Sequence, residues 1–383
     1  MTRGVSSRRE FLEAASAAAL SAAISRKANA APRARAGEWR NRRDGVAYRQ
    51  LGRTGFMVSE IVMGGNTISP ANYEHVLLAL DLGLNYLDTA PAYGRGQSEL
   101  GYARVIAARK RDMFFLNTKI SVWDVNRGKL YQDIFASLSE PEQKKLRHRA
   151  TEELERRRAL DRDYIGPYFK GQEAELHAAA LADVMAKRYG RRIDRERNYK
   201  QIIFQSFEES LKRLGTDHVD LLMCPHGACT PSELLDHPEI FEAFETLKKQ
   251  GRVRHLGVSA HNDPAGILEA AVQAKVYSAA MVAYNIVNRG YTERAVERAR
   301  KAGLGVIAMK VARPVFNGRK DGPPDDPARA ALVHDAVPGP LKTPQKAYLW
   351  ALRNPNLSAC VSELITAEMV KDNLPLAAEK KRS

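Results

Sequence analysis

From Ile61 onward, short apolar runs alternate along the chain with longer stretches in which apolar positions recur every three or four residues. The first pattern is that of buried strands and the second that of amphipathic helices. Strands are predicted at Ile61–Gly65, Asn85–Asp88, Met113–Lys119, Val219–Cys224, Val253–Ser259, Ala280–Tyr284, Gly305–Lys310 and Ser358–Val361. Helices are predicted at Asn72–Leu82, Ser98–Ala108, Gln201–Leu214, Pro238–Gln250, Ala265–Ala274, Thr292–Ala302, Pro344–Arg353 and Ala367–Asn373. Strands that alternate with helices pair in parallel, and eight such units imply closure, so the expected fold class is α/β, a (β/α)8 TIM barrel. No Gly-x-Gly-x-x-Gly opens a helix after the first strand, so the doubly wound dinucleotide fold lacks its fingerprint.

Two stretches interrupt the regular alternation. Val46–Leu51, the turn Gly52-Arg53-Thr54-Gly55 and Phe56–Val58 read as a hairpin ahead of the barrel. Between the third strand and its helix lies a long charged insertion, residues 121–200, with helical stretches at Pro141–Leu160 and Gln172–Tyr189 separated by the aromatic run Tyr164–Phe169. A segment of that length inside a compact domain carries structure of its own. Leaving from a strand's carboxyl end, it belongs on the face where such barrels do their chemistry. It is expected as a helical lid or a docking surface for a protein partner, or else as a decoration beside the barrel whose aromatic run packs its own small core.

Composition adds a beginning and an end. The chain has 383 residues, 44% of them hydrophobic, and a formal net charge of +15, nearly half of which comes from the first fifty residues. Ser7-Arg8-Arg9-Glu10-Phe11-Leu12 matches the twin-arginine export pattern, a weakly apolar run follows from Ala14 to Ile24, and Ala28-Asn29-Ala30 offers small residues to a signal peptidase. Residues 1–30 are therefore expected as a signal peptide read by export machinery, 31–45 as a mobile linker, 46–376 as the barrel and 377–383 as a basic tail, with the mature protein periplasmic or extracellular. The apolar run is too short to span a bilayer stably. No nucleic-acid module accompanies the basic charge, so no nucleic-acid partner is expected. Three cysteines are too few for a disulfide framework, and Cys224-Pro225-His226-Gly227-Ala228-Cys229 has no fourth ligand at metal-site spacing, so buried thiols or an incidental disulfide are preferred to a metal.

The chemistry gathers where the second strand ends. A short, largely apolar run from Leu84 ends at Asp88, which is followed five residues later by Tyr93, in the turn that leads through Gly94-Arg95-Gly96 into a helix. Asp88-Thr-Ala-Pro-Ala-Tyr-Gly94, the following Gly-Arg-Gly-Gln-Ser-Glu99 and the earlier Tyr48-Arg-Gln-Leu-Gly-Arg-Thr-Gly55 resemble signatures of the aldo-keto reductases, in the right order and over roughly residues 46–120 and 200–376.

The resemblance implies carbonyl reduction by a nicotinamide cofactor, NADP or NAD, on a small aldehyde, ketone or sugar. Such a reaction delivers a proton to the carbonyl oxygen as hydride reaches carbon, and a phenol serves if a buried cation stabilises its anion. Tyr93 is then the acid, Lys119 the cation and Asp88 the partner that keeps Lys119 charged. His226 is the fourth member, orienting the substrate carbonyl; it stands one residue beyond the family's usual spacing from Asp220, so a bulge near Pro225 is required.

The cofactor positions carry over as Ser259 for the carboxamide, Tyr284 stacking on the nicotinamide, Lys310 near the diphosphate and Asn373 at the adenine. At the last strand Glu363 stands for a glycine and Ile365 for the basic residue of the adenosine 2′-phosphate, which weighs against NADP and toward NAD or an unusual pose. The rival expectation is an exported barrel that has lost dinucleotide binding and acts as a binding or interaction protein through residues 121–200.

Overall fold

The computed structural model describes residues 37–122, 129–316 and 326–379. The signal peptide, the first part of the expected linker and the last four residues of the expected tail lie outside the described residues. Eight parallel strands close into a barrel: β4 (Ile61–Gly64), β5 (Tyr86–Asp88), β6 (Phe115–Lys119), β7 (Val219–His226), β8 (Val253–Ala260), β9 (Ala279–Ala283), β10 (Gly305–Met309) and β11 (Ala359–Ser362). Each falls within one or two residues of its predicted bounds. Around them run α1 (Glu74–Asp81), α2 (Gln97–Ala108), α7 (Ile202–Leu214), α9 (Pro238–Lys249), α10 (Pro264–Ala274), α11 (Arg289–Lys301), α13 (Thr343–Leu352) and α14 (Ala367–Asn373).

The period of two sorts the strand residues. Val62, Tyr86, Phe115, Leu221, Met223, Ala279, Met281, Ile307, Met309 and Ala359 fill the barrel interior, while their neighbours Ala280, Val282, Val306, Ala308 and Cys360 pack outward against the helices. Among the described residues no helix is long and apolar enough to cross a membrane. All three cysteines are buried, and none is in a disulfide.

The barrel floor corrects the expected linker. The stretch 37–45 carries a strand, β1 (Glu38–Trp39), which pairs in parallel with β3 (Phe56–Ser59), itself the antiparallel partner of β2 (Tyr48–Gln50). Leu51, Phe56 and Val58 of this hairpin plug the barrel from below, with Phe56 stacked on Phe115 at 4.3 Å. Gly52, at φ +49°, seats the turn against the barrel, where a Cβ would stand 2.1 Å from the backbone nitrogen of Gly305.

Arg40 adds the decisive charge. Its guanidinium, with those of Arg111 and Arg254, surrounds the buried carboxylate of Asp220 at 3.0, 2.7 and 3.0 Å, and the Leu116 amide donates to the same carboxylate at 3.0 Å. Polar, Arg-rich sequence reads as solvated linker; here a buried acid recruits it.

Burial raises the Asp220 pKa, but the arginines more than offset this and hold it below its ordinary 3.8. A depressed carboxylate stabilises the fold above its unfolded pKa, and that contribution is lost as pH falls through the folded value. Asp220→Asn is therefore expected to lower stability by about 2 kcal/mol at pH 7. The gap from wild type should close on acidification below pH ~4, as urea melts at pH 7 and pH 3 would show.

The insertion is helical, as expected, with two more helices than predicted: α3 (Lys129–Ala136), α4 (Glu140–Arg156), α5 (Arg162–Ile165) and α6 (Gln172–Tyr189), followed by a π-helical turn at Glu196–Gln201 that runs into α7. It has small cores of its own, one around Leu154, Leu176 and Ala180, the other around Tyr131, Leu146 and Met185. The first also takes in Cys229 from the loop after β7. Elsewhere, α8 (Ser232–Leu235), α12 (Pro327–Ala336) and α15 (Leu376–Glu379) complete the described helices, and α15 takes the first residues of the expected basic tail.

Candidate active site

Asp88, Lys119 and His226 close strands β5, β6 and β7, so three adjacent strands deliver them to one edge of the barrel mouth. Tyr93 is folded back over that edge by the turn that follows β5. Gly94, Arg95 and Gly96 all adopt left-handed conformations, with φ of 57°, 54° and 87°. Two of the three are glycines, for which this backbone carries no Cβ penalty, and Arg95 bears the strain. Glu99, the end of the Gly-Arg-Gly-Gln-Ser-Glu motif, is fully buried and ties the helix after this turn to β6 and α7. It accepts from Thr118 at 2.7 Å and from Arg213 at 2.6 Å, and so fixes the strand that carries Lys119.

The Lys119 side chain is wholly buried, and its three N–H groups are all occupied. One donates to Asp88 Oδ1 in an ion pair, one to the Thr89 carbonyl at 3.1 Å and one to the Tyr93 hydroxyl at 3.0 Å. Asn117 supports the acid from the strand between, donating to Asp88 Oδ1 at 2.8 Å.

The required bulge is present. Met223 pairs with Gly257 and His226 with Ser259, three residues on β7 spanning two on β8, and the Cys224–Pro225 bond within this step is cis. The extra residue turns His226 inward, where its ring meets Tyr93 edge-on with centroids 6.1 Å apart.

The electrostatics suit proton donation. Burial, with the charges of Asp88 and Glu363 behind it, holds the Tyr93 phenol well above its ordinary 10. Burial draws Lys119 down from 10.5, and Asp88 opposes that loss. Burial, then the charges of Lys119 and His261, hold His226 well below 6.5. The site thus pairs a protonated phenol with a neutral imidazole at physiological pH.

The cofactor positions divide. Ser259 lies inward at the end of β8, 2% exposed, and its hydroxyl has no protein partner among the described residues. Lys310 follows β10 with φ +58°, and its charge is felt by His261. Both face the mouth.

Tyr284 does not, and its assignment is corrected. Alternation sends Ala283 inward and Tyr284 outward, where it stacks on Trp350 at 5.5 Å and its hydroxyl meets Glu293 at 2.6 Å and Asn354 at 2.9 Å. Asn373 ends α14 half-buried, and its side-chain amide makes no hydrogen bond among the described residues. Glu363 has the inward parity of Ala359 and Val361, and its charge reaches Tyr93, so it faces the site as well as the expected phosphate path.

His261, which the family resemblance did not point to, also lies at the site. It shares the inward parity of Gly257 and Ser259, a signal present in the sequence. Burial and the charges of Lys310 and Lys119 lower its pKa to about 3. Over it lies the insertion: the rings of Tyr168 and Phe169 stand 6.2 and 5.4 Å from the His261 ring.

Compared with known proteins, the chain matches the aldo/keto reductase family over residues 60–170 and 167–376. It is 46% identical to oxidoreductase YdhF of Escherichia coli (strain K12) over 57 residues, which are 15% of this chain and only 18% of YdhF. To the uncharacterized oxidoreductase YrpG of Bacillus subtilis (strain 168) it is 24% identical over 363 residues, 86% of this chain and 90% of the other. The crystal structure of an aldo-keto reductase from Klebsiella pneumoniae in complex with NADPH is alike in fold, with a TM-score of 0.55 at 18% identity over 87% of this chain and 90% of that one.

Proposed function

This chain belongs to the aldo/keto reductase family, and we propose that it is an exported oxidoreductase of that type, reducing the carbonyl of a small aldehyde, ketone or sugar with Tyr93 as proton donor. One observation carries the reading: the buried Lys119 ammonium bridges Asp88 and the Tyr93 hydroxyl. A buried charge is costly unless it is paired and hydrogen-bonded, and here the pairing points one N–H at the phenol whose anion it would stabilise.

The residues fit a nicotinamide dinucleotide at two points: the buried Ser259 hydroxyl, which has no protein partner among the described residues, suits a carboxamide, and the Lys310 cation suits a diphosphate. NADPH or NADH, when bound, supplies the hydride for the carbonyl carbon. Tyr93 gives its proton to the carbonyl oxygen, and Lys119 stabilises the resulting phenolate across 3.0 Å. The neutral His226 imidazole has one N–H to offer and orients that oxygen from the other side.

Twin-arginine export carries folded chains, so the cofactor crosses bound. Mass spectrometry of small molecules released from the natively exported protein is expected to find a stoichiometric dinucleotide. Titration of the emptied protein with NADH and NADPH should restore it, with the phosphorylated form gaining little beside Glu363 and Ile365. No dinucleotide and no titratable binding would overturn the reading in favour of a barrel that binds partners through its insertion.

A further inference from the structure

The run from Tyr164 to Gln172 is fastened to the barrel mouth along its whole length. The Tyr164 hydroxyl donates to Asp263 Oδ1 at 2.7 Å and accepts from the Ala265 amide at 2.9 Å, and its ring stacks on Tyr291 at 4.9 Å. Arg157 pairs with the other oxygen of the buried Asp263. Gln172 donates to Asn262 at 2.9 Å and to the Ile165 carbonyl at 2.8 Å, and accepts from the Tyr168 amide at 2.9 Å. The Tyr168 hydroxyl accepts from Asn285 at 2.9 Å. Gly166, at φ +59°, lies so close beneath the Tyr168 ring that a Cβ would stand 2.5 Å from it. Asn262, Asp263 and Asn285 belong to the loops after β8 and β9, so the segment is a fixed roof over that side of the mouth.

Within this roof Phe169 is the exception. Among its large side chains Tyr164, Tyr168 and Gln172 are buried and hydrogen-bonded, whereas Phe169 is 41% exposed while its ring meets His261 edge-on at 72°. Set edge-on against His261, whose inward parity puts it at the barrel mouth, this large apolar ring keeps a face that the described residues leave uncovered.

We propose that Phe169, backed by His261, is the wall that sets substrate specificity, favouring carbonyl compounds whose reacting carbon is attached to an aromatic ring. This rests on the reductase reading for its turnover measurements but not for its binding measurements. An aryl group stacked offset on Phe169 gains the contact that a short aliphatic aldehyde cannot make. Neither residue is needed for the proton transfer itself, so the effect belongs to binding.

Benzaldehyde and propanal serve as probes, measured on wild type, Phe169→Ala and Phe169→Leu by ligand-observed NMR titration and by turnover with saturating NADPH. Phe169→Ala is expected to raise KM and the dissociation constant for benzaldehyde about 10-fold with kcat within about 3-fold, and to leave propanal unchanged. Phe169→Leu, which keeps most of the volume, should recover part of the loss, and both variants should keep the wild-type melting temperature because the ring is already half exposed. A benzaldehyde-to-propanal ratio unchanged in Phe169→Ala, by turnover or by binding, overturns the proposal while leaving the reductase reading intact. Wild type that binds benzaldehyde through Phe169 yet reduces neither probe sustains the wall and overturns the reductase reading.

Discussion

Tyr93→Phe is expected to lower kcat for carbonyl reduction by about 10²–10⁴-fold, the range general acid catalysis contributes. KM for the carbonyl should stay nearly constant, because the lost proton transfer acts in the transition state and not in binding. The variant keeps the ring, the turn and the Asp88–Lys119 ion pair, and deletes only the hydroxyl that lies 3.0 Å from Lys119. One donor of the buried ammonium loses its partner, a cost of about 1–3 kcal/mol in stability. That is small beside a barrel of this size, so a folded but nearly inactive protein is the expected result, with dinucleotide binding unimpaired. Single-turnover kinetics with a folded-state check by circular dichroism would decide it, and activity within 10-fold of wild type would remove Tyr93 from the role. The pH profile gives a second reading. Because burial holds the phenol well above 10, the donor is protonated throughout and reduction in wild type should be flat with respect to Tyr93 between about pH 6 and 9.

Lys119→Met should damage both activity and stability. It leaves the Asp88 carboxylate, 2% exposed, without its counter-ion, and breaking a buried pair on one side costs about 3–5 kcal/mol. It also removes the charge that stabilises the phenolate, so kcat should fall by at least about 10²-fold. Asp88→Asn in the same chain removes the stranded charge, and the double variant is expected to recover most of the stability and none of the activity. The coupling energy of the pair in urea melts should exceed about 1 kcal/mol, as for residues in direct contact. Additive losses would mean that the two charges are not acting on one another. Stability that recovered together with activity would mean that the charge on Lys119 is not what the phenol needs.

The two outcomes separate the roles within the site. On the proposed reading Tyr93 moves the proton, whereas Lys119 both pairs with Asp88 and stabilises the phenolate. His226 enters through neither charge, since its burial keeps it neutral.

Much of this was legible in the chain itself. Apolar periodicity places eight strands because a barrel strand is buried on both faces, and that leaves a local mark at every turn of the chain. The Asp88-to-Tyr93 motif and Lys119 are equally local, each fixed by the end of its own strand. Even the bulge at His226 could be anticipated, because a one-residue excess in a pattern of period two has to be absorbed somewhere. Parity also held the evidence against Tyr284 and for His261, Ala283 and Ser259 being the inward residues beside them.

What only the tertiary structure decided depends on partners far apart in sequence. Arg40 looked like linker until Asp220, 180 residues away, gave its charge a buried partner. The sequence put the insertion on the mouth's side of the barrel, but which loops hold it there was decided by Asn262, Asp263 and Asn285, which leave no periodic trace. Sequence determined which residues end each strand, because backbone geometry is local; the fold decided what those ends face, because burial and charge pairing belong to the whole chain at once.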